Sequence, residues 1–501
     1  MGGLACAALL AWYGHDVLVC EGRPTPGGAA HVWRRAGYRF DCGTSLFFGL
    51  DWQGGPSQSE NPLASILQLI DERVDVVPVP DAATCLVWPE ESFRTHIGSD
   101  KFGAVVRRLW GQRAEAEWKA FQKRAEECAP AASAIKPMAV RFDDLVAVTT
   151  VGRSPGAFLK YLRGEARSMV FSGLMEGTVG DPGLRDFIDL LVRGTCGLPS
   201  DEIVASYMIQ AFAQLYQPTS ALEYPVGGPQ AIVNALVRGL RKHGGRLALN
   251  AHVDEVVVGP RGQAAGVRLR DGRTIGASKA VVSNASAWDT LRMLPRQAVS
   301  AKYRDRVAEM IPNNSFMHVH LGFDGSGLDP LPLHYYMFDP ELVTDAGWPT
   351  ICVPSAVEPT AAPPGKHVMH AYISEPYAPW RGLERRGEEY GRLKEERCQV
   401  VWNMIERVIP DIRDRVEVEM VGTPLTHSHF LNRFQGTYGP KNLLKMGTLP
   451  EAVCPLPGLY CCGDSTFPGA GTPAAASSGM WVANSLVPIW EHWGALNALG
   501  L

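Results

Sequence analysis

Two acidic residues follow apolar runs near opposite ends of this 501-residue chain. Glu21 comes directly after the run VLVC at residues 17–20, and Asp464 comes after LYCCG at residues 459–463. Apolar runs of this length are typical of buried strands, and the loops that follow such strands often hold functional groups. Each carboxylate is therefore a candidate contact for a hydroxyl or phosphate group of a ligand.

Glycines accompany the first of these acids. Glu21 lies 18 residues after Gly3, a separation typical of a dinucleotide-binding unit, whose acid binds a ribose hydroxyl. In such a unit Gly2 and Gly3 would begin the helix that faces the ligand. The pair Gly27 and Gly28 would let backbone N–H groups approach a pyrophosphate, although a tight turn is the alternative for this pair.

Small residues follow the second acid, in the run GTPAAASSG at residues 471–479. Because proline is favoured in a first helical turn, a helix is expected to begin near Pro473. Its free N–H groups and positive dipole end would suit a ligand that becomes anionic. Gly471, Thr472 and Ala474 are candidate contacts beside Pro473.

The elements around these residues combine helical and strand patterns. Residues 2–12 predict a helix packed closely on a sheet, and Ile232, Leu236 and Leu240 give a second helix its apolar face. Asp271-Gly272 predicts a hairpin turn, and a long charged helix is expected over residues 384–409. Residues 316–322 and 367–373 alternate polar and apolar side chains, as strands of a half-covered antiparallel sheet do.

Composition excludes several classes of protein. Lys plus Arg number 48 and Asp plus Glu 52, and the net charge of −4 gives no electrostatic footprint for nucleic acid. The 11 cysteines lack a CxxC pair, which argues against a zinc site and a disulfide framework. No apolar run reaches about 18 residues, so a membrane-spanning helix is not expected, whereas peripheral membrane contact stays open.

The order of these features resembles the FAD-dependent phytoene desaturase and amine oxidase superfamily, and within it the carotenoid isomerase (prolycopene isomerase) branch. The motifs that carry the resemblance are residues 17–28 (VLVCEGRPTPGG), 37–45 (GYRFDCGTS), 224–228 (YPVGG), 281–289 (VVSNASAWD), 436–440 (GTYGP) and 458–464 (GLYCCGD). Thr426-His427, Arg433 and the GTYGP motif point to the isomerase branch. The run GTPAAA at residues 471–476 departs from the more apolar run expected there.

The resemblance implies a fold and a set of cofactor contacts. The implied fold is α/β, with a Rossmann-type FAD-binding domain whose first strand is missing and a substrate domain of antiparallel sheet and helices. The implied FAD contacts are Gly2, Gly3, Glu21, Arg23, Gly27, Gly28, Gly43, Thr44, Val253, Gly463, Asp464, Gly471, Thr472, Pro473 and Ala474. His427, Arg433 and Tyr438 are the candidate catalytic residues, and loop structure is the alternative for each.

The resemblance also implies an activity, which is cis-to-trans isomerisation of poly-cis carotenoids by reduced FAD. The implied partner is a lipophilic polyene substrate, in a protein that is membrane-associated in a plastid. Residues 203–212 would then line a lipophilic tunnel. A carotenoid desaturase or retinol saturase is the alternative enzyme, and a non-enzymatic lipid-binding protein like the Rab GDP-dissociation inhibitors is the alternative from another class.

Domain limits follow from the same comparison of motifs. We expect residues 1–100, 224–300 and 441–501 to build the FAD-binding domain, residues 101–223 a mainly helical substrate and membrane-contact domain, and residues 301–440 the sheet of the substrate domain. The natural chain is expected to begin before Met1, and a protein beginning there is expected to fold poorly or to bind FAD weakly. The sequence carries no signal for an oligomeric state.

Histidines on one strand could be taken for metal ligands. His318 and His320 share one face of their predicted strand, but the sequence shows no Cys, Asp or third His at ligand spacing. We therefore expect no metal site.

Overall fold

The structure is a computed structural model, and its described residues are 1–43, 47–51, 59, 61–79, 84–87, 92–95, 99–132, 136–141, 155–156, 159, 170–196, 199–205, 208–209, 212, 222–337, 349–441 and 454–501. The helices are α1 (Gly2–Trp12), α2 (Pro62–Leu69), α3 (Ser99–Ala132), α4 (Ser172–Met175), α5 (Pro182–Cys196), α6 (Gln230–Lys242), α7 (Ala287–Met293), α8 (Ala301–Glu309), α9 (Glu388–Val408), α10 (Ile412–Arg415), α11 (Pro424–Leu431), α12 (Thr472–Ser485) and α13 (Ile489–Ala498).

The strands are mostly short. They are β1 (Leu18–Cys20), β2 (Val32–Arg35), β3 (Tyr38–Asp41), β4 (Phe47–Phe48), β5 (Val76–Pro78), β6 (Thr84–Val87), β7 (Ser92–Thr95), β8 (Leu222–Pro225), β9 (Arg246–Ala248), β10 (Val253–Val258), β11 (Ala264–Leu269), β12 (Thr274–Gly276), β13 (Val281–Ser283), β14 (Ser315–Asp324), β15 (His334–Met337), β16 (Thr350–Cys352), β17 (Lys366–Glu375), β18 (Val416–Gly422) and β19 (Leu459–Cys461).

Two parallel strand pairs carry the predicted acids. β1 pairs with β9, and β13 pairs with β19. Within the described residues each pair is a sheet of two strands, so both of its edges are unpaired. The α/β fold class is confirmed, with parallel strands and covering helices that belong to one core.

Helix α1 packs against α6 and α12, which brings the two ends of the chain together. Its residues 4–11 are all buried, and Gly14, with φ of +85°, follows its last turn as the sequence predicts. Helix α6 buries Ile232, Leu236 and Leu240 in the same core, also as predicted. The predicted hairpin is formed by β11 and β12, with Gly272 at φ of +88° in its turn.

The large sheet has seven strands in the order β18-β14-β17-β16-β15-β6-β7. Strands β14 and β17 are antiparallel neighbours, with His320 opposite His370. The expectation of a half-covered sheet is wrong for these two strands, because α9 covers one face and β3 lies against the other. A Cβ on Gly322 would come within 2.8 Å of the Tyr38 ring on that second face.

Strands β6 and β7 belong to this sheet. Residues 84–87 pair with β15 and residues 92–95 pair with residues 84–87, so the expected FAD-binding segment 1–100 includes two strands of the substrate sheet. The other expected limits stay predictions.

Helices α3, α4 and α5 share a core of their own with described residues up to 212. Ile203, Met208, Ile209 and Phe212 are at most 2% exposed and belong to that core. None of the described helices is both long enough and apolar enough to cross a membrane.

A buried ionic network connects the β2–β3 hairpin to β8 and to the turn at residue 358. Arg39 pairs through both terminal nitrogens with Glu358, at 2.5 and 2.8 Å. Asp41 accepts a hydrogen bond from the Tyr224 hydroxyl, but lies 3.9 Å from the Arg39 Nε atom. Because the arginine is committed to Glu358, burial dominates at Asp41 and raises its pKa to about 6.

This network predicts a pH-dependent stability that Asp41→Asn removes. Between the unfolded pKa of 3.8 and the folded pKa of about 6 the folded protein binds more protons, so its free energy of unfolding falls as pH rises. The substitution should abolish this loss, which amounts to at most about 3 kcal/mol in full, of which roughly 1.4 kcal/mol falls between pH 5 and pH 8. Denaturant unfolding at pH 5 and pH 8 measures it.

Asp414→Asn is the matched control, since Asp414 is exposed on α10. Its unfolding curves should follow the wild-type protein at both pH values. Equal pH dependence in Asp41→Asn and the wild-type protein would contradict the prediction.

Candidate functional site

A cavity of about 1910 Å³ lies where the two strand pairs, the Gly-rich loop and the large sheet meet. Cavities for drug-sized ligands usually measure roughly 300–1,000 Å³, so this one has room for a larger, extended ligand. Of the predicted cofactor contacts, those that line it are Gly2, Gly3, Glu21, Arg23, Gly27, Gly28, Val253, Gly463, Asp464, Gly471 and Thr472.

The other four predicted contacts are not seen in the lining. Thr44 lies outside the described residues, and Gly43, Pro473 and Ala474 are not among the lining residues. Helix α12 begins at Thr472, and Ala475 in its first turn lines the cavity. The predicted helix start is confirmed, and the cofactor contacts at Gly43, Thr44, Pro473 and Ala474 stay predictions.

Glu21 is positioned by the end of β1. Its amide donates to the Ala248 carbonyl at 2.9 Å, so the parallel pairing continues through the acid. One carboxylate oxygen accepts from the Arg23 amide at 2.9 Å, and burial raises the pKa of the group. A carboxylate that has lost solvent in this way gains from a hydroxyl donor of a bound ligand.

The Gly-rich loop needs its glycines for two different reasons. Gly27 and Gly28 have φ of +117° and +57°. A Cβ on Gly27 would lie 2.9 Å from a methyl group of Val233 in α6, whereas one on Gly28 would meet nothing within 4 Å. Gly27 therefore permits close packing, and Gly28 supplies the left-handed turn at the cavity wall.

Asn284 is a site residue that the sequence analysis missed. It follows β13, its Oδ1 atom accepts from the Gly3 amide at 2.9 Å, and it lines the cavity. A Cβ on Gly2 or Gly3 would come within 2.9 Å of Asn284 atoms, so both glycines are required for this contact. The available signal was a polar residue directly after a predicted buried strand.

Two helices begin at this cavity. The first residues of α1 and of α12 line it, so the free N–H groups and the positive dipole ends of both helices lie beside it. Phosphate groups and an anionic ring system are suitable ligands for such ends.

Asp464 forms an ion pair with Arg433. The guanidinium of Arg433 also lies 4.9 Å from the centre of the Tyr438 ring, and burial lowers the arginine's pKa. A Cβ on Gly439 would come within 2.3 Å of the Asp464 carbonyl oxygen, so the two motifs cross in backbone contact. The branch motif and the Gly-Asp motif thus form one wall.

The three candidate catalytic residues are brought together. His427 lies in the first turns of α11, which Thr423 caps by accepting from the Thr426 amide at 3.3 Å. The His427 Nδ1 atom is 3.0 Å from the Tyr438 hydroxyl oxygen. Burial lowers the pKa of His427 to about 4 and raises that of Tyr438, so both are uncharged at neutral pH.

His318 and His320 extend this wall on β14, and both line the cavity. Burial lowers their pKa values well below the ordinary range of histidine. The sequence shows no third histidine at ligand spacing, but the folded chain brings one close, because β17 places His370 opposite His320. The pairing of distant strands brings this residue in, and spacing along one strand does not show it.

The described residues of the segment 203–212 do not line the cavity, where the predicted lipophilic tunnel would lie. Ile203, Ala205, Met208, Ile209 and Phe212 are instead buried in the helical core. Their apolar spacing reflects core packing.

The site fits an extended dinucleotide such as FAD. Its volume suffices, two helix N-termini and a glycine loop can bind a pyrophosphate, and Glu21 offers an acceptor for a ribose hydroxyl. Arg433 and Asp464 would lie beside the remaining part of the cofactor.

Comparison with known proteins supports this fit. A family model described as flavin containing amine oxidoreductase matches residues 1–487. The chloroplastic prolycopene isomerase of Arabidopsis thaliana is 29% identical, covering 97% of this chain and 80% of the relative. The neurosporene-forming phytoene desaturase of Rhodobacter capsulatus is 28% identical, covering 97% and 92%.

A solved oxidoreductase from Methanosarcina mazei shares the fold, with a TM-score of 0.64 at 19% identity over 96% of this chain and 97% of the other. The matched family uses a flavin, and the lining residues of the cavity fit one. The chain belongs to the flavin-containing amine oxidoreductase family, and FAD is its cofactor.

Proposed function

We propose that the protein catalyses FAD-dependent cis-to-trans isomerisation of a poly-cis carotenoid of the prolycopene type. The observation that carries this proposal is an uncharged aromatic wall of the cavity, formed by His318, His320, His427 and Tyr438. Burial holds all four neutral at pH 7. A hydrocarbon polyene offers no hydrogen-bond acceptor, so apolar and aromatic contact suits it better than fixed charge does.

When bound, FAD in its reduced form supplies the electron density that weakens a cis double bond. The residues of the wall would then stabilise charge on the polyene and transfer one proton. Tyr438 and His427 hold a single proton between the hydroxyl oxygen and Nδ1, 3.0 Å apart, and can share it with a polarised polyene and recover it. Arg433 lies against the Tyr438 ring and favours negative charge near it. No proton is consumed, as an isomerisation requires.

A carotenoid desaturase or a retinol saturase is the second candidate. Desaturation removes a hydride and a proton from the substrate, and the unprotonated His427 is a suitable proton acceptor. The similarity to a phytoene desaturase favours this candidate as much as the isomerase similarity favours the first.

We also propose peripheral membrane contact, because a carotenoid resides in lipid. Phe430 lines the cavity and is 47% exposed, with the guanidinium carbons of Arg23 and Arg385 at 5.3 and 5.7 Å from its ring centre. An exposed aromatic ring between basic side chains suits an anionic lipid surface. The chloroplastic relative from Arabidopsis thaliana supports a plastid location.

Product analysis tests the proposed reaction. Anaerobic incubation of the protein with reduced FAD and a poly-cis lycopene should give a product of unchanged mass and altered double-bond geometry. Mass spectrometry combined with chromatography of the geometric isomers measures both. A gain or loss of two hydrogens would refute the isomerase and support the second candidate.

Glu21→Gln should weaken FAD binding. The substitution replaces a charged acceptor with a neutral one, and hydrogen bonds to charged groups contribute about 1.5–3 kcal/mol, so the dissociation constant should rise at least about tenfold. Flavin fluorescence titration of the apoprotein measures it. Glu389→Gln, at an exposed position in the first turn of α9, is the control and should bind FAD normally.

His427→Ala should lower turnover by about a hundredfold while FAD stays bound. His429→Ala is the matched control, because His429 is exposed on the same helix and does not line the cavity. With a pKa of about 4, His427 stays neutral from pH 6 to pH 8. Titration of this residue should therefore cause no change in wild-type turnover over that range. Full turnover of the alanine variant with retained flavin would remove His427 from the mechanism.

A further inference from the structure

Three buried histidines lie together beside the cavity, on two neighbouring strands. His318 and His320 are two residues apart on β14, so their side chains share one face, and His370 on β17 is the cross-strand partner of His320. Their exposed fractions are 3%, 6% and 1%. One ring nitrogen from each of the three lies within 4.8 Å of the other two.

Hydrogen bonding does not account for all the ring nitrogens of this cluster. His318 Nε2 and His370 Nδ1 are 3.1 Å apart and share one proton. His320 Nε2 lies 3.2 Å from the Asp41 carbonyl oxygen, which can only accept, so this nitrogen carries the proton and Nδ1 keeps its lone pair. His370 Nε2 is buried and has no hydrogen-bond partner among the described residues. Buried polar atoms without partners are uncommon, so this cluster keeps ring nitrogens whose bonding capacity no described residue uses.

We propose that His318, His320 and His370 form a binding site for a divalent transition metal ion of the zinc class, with its open coordination position facing the cavity. Imidazole nitrogen suits zinc and its first-row neighbours, and three protein ligands with one open position are typical of a reactive zinc site. His318 and His320 line the cavity, so this position is accessible to ligands from that side.

The geometry needs only small adjustments. Bonds of about 2.0–2.1 Å to a tetrahedral zinc ion hold the ligand nitrogens roughly 3.3 Å apart. The nitrogens of His318 and His370 already lie 3.1 Å apart, and rotation about a soft terminal torsion brings the third ring closer. The strands that carry the three residues are held in the middle of the seven-stranded sheet, which limits movement of the backbone.

The surroundings also fit a metal. Burial keeps the three rings neutral, which is the form that coordinates an ion. The hydrogen bond from His320 to the Asp41 carbonyl fixes one ring, as a backbone acceptor does for many metal-bound histidines. The Trp33 ring, centred 4.7 Å away and edge-on, restrains the same imidazole.

Metal binding by the FAD-loaded protein tests the proposal. After treatment with a chelator, the protein is dialysed against zinc chloride and its zinc content is measured by atomic emission. We expect one equivalent per chain. Cobalt(II) used in place of zinc should give the visible bands of a four-coordinate ion without a thiolate charge-transfer band, because the ligands are imidazoles.

Substitutions locate the ion. His370→Phe and His320→Phe keep an aromatic ring in each position and should each weaken zinc binding by at least about a hundredfold. His367→Phe is the matched control, since His367 is on the same strand but bonds to Ser355, and it should retain one equivalent. Flavin content and circular dichroism identify any variant that does not fold, and for such a variant Asn replaces Phe.

Two results would overturn the proposal. The first is a wild-type protein that takes up no stoichiometric zinc and gives no four-coordinate cobalt spectrum. The second is zinc binding that is equally strong in folded His370→Phe, His320→Phe and His367→Phe, which would assign the ion to other groups. Both results are independent of carotenoid turnover, so they do not depend on the proposed isomerase activity.

Discussion

The site depends on a backbone contact between the first and the last long helices of the cofactor domain. The Gly2 carbonyl oxygen lies 2.0 Å from the position that a Cβ on Gly479 would take, and a Cβ on Gly2 would lie 2.6 Å from the Ala475 carbonyl oxygen. Only glycine allows α1 and α12 to approach this closely. The contact brings the loops after β1 and β19 to one cavity, although Glu21 and Asp464 are more than four hundred residues apart in the chain.

A second backbone contact couples the cofactor domain to the substrate sheet. Gly439 crosses Asp464 with no room for a side chain, and Pro440 forms an isolated bridge with Pro312 at the start of the large sheet. Arg433 pairs with Asp464 at the same crossing. The acid of the Gly-Asp motif is therefore held by a residue of the substrate wall.

Burial determines the chemistry that this wall can offer. Histidine ordinarily titrates near neutral pH, but the covered faces of β14 and β17 keep His318, His320 and His370 neutral. The same effect leaves His427 unprotonated and Tyr438 protonated. The uncharged His427 and Tyr438 suit contact with a hydrocarbon, whereas the neutral imidazoles of His318, His320 and His370 have lone pairs that suit a metal ion.

Local patterns in the sequence determined the cofactor half of the molecule. The strands before Glu21 and Asp464, the helix that begins beside Pro473 and the hairpin at Asp271-Gly272 follow from short-range rules of apolar spacing, capping and turn geometry, and the structure has each of them. Most predicted cofactor contacts line the cavity for the same reason. Which side chains of the helix that begins at Thr472 line the cavity depends on what packs against that helix, and Ala475 is one of them.

The substrate half was decided by tertiary structure. Contacts between segments far apart in the chain decide which face of β14 is covered and which strand lies beside it. They also decide that the described apolar residues between 203 and 212 join the helical core. Such a pairing places His370 beside His320. The approach of α1 to β13 places Asn284 in contact with Gly3. The sequence by itself determined where strands end and helices begin, because those depend on neighbouring residues. Only the folded chain decided which buried groups share a cavity and are thereby kept neutral, because desolvation depends on all the elements that surround a side chain.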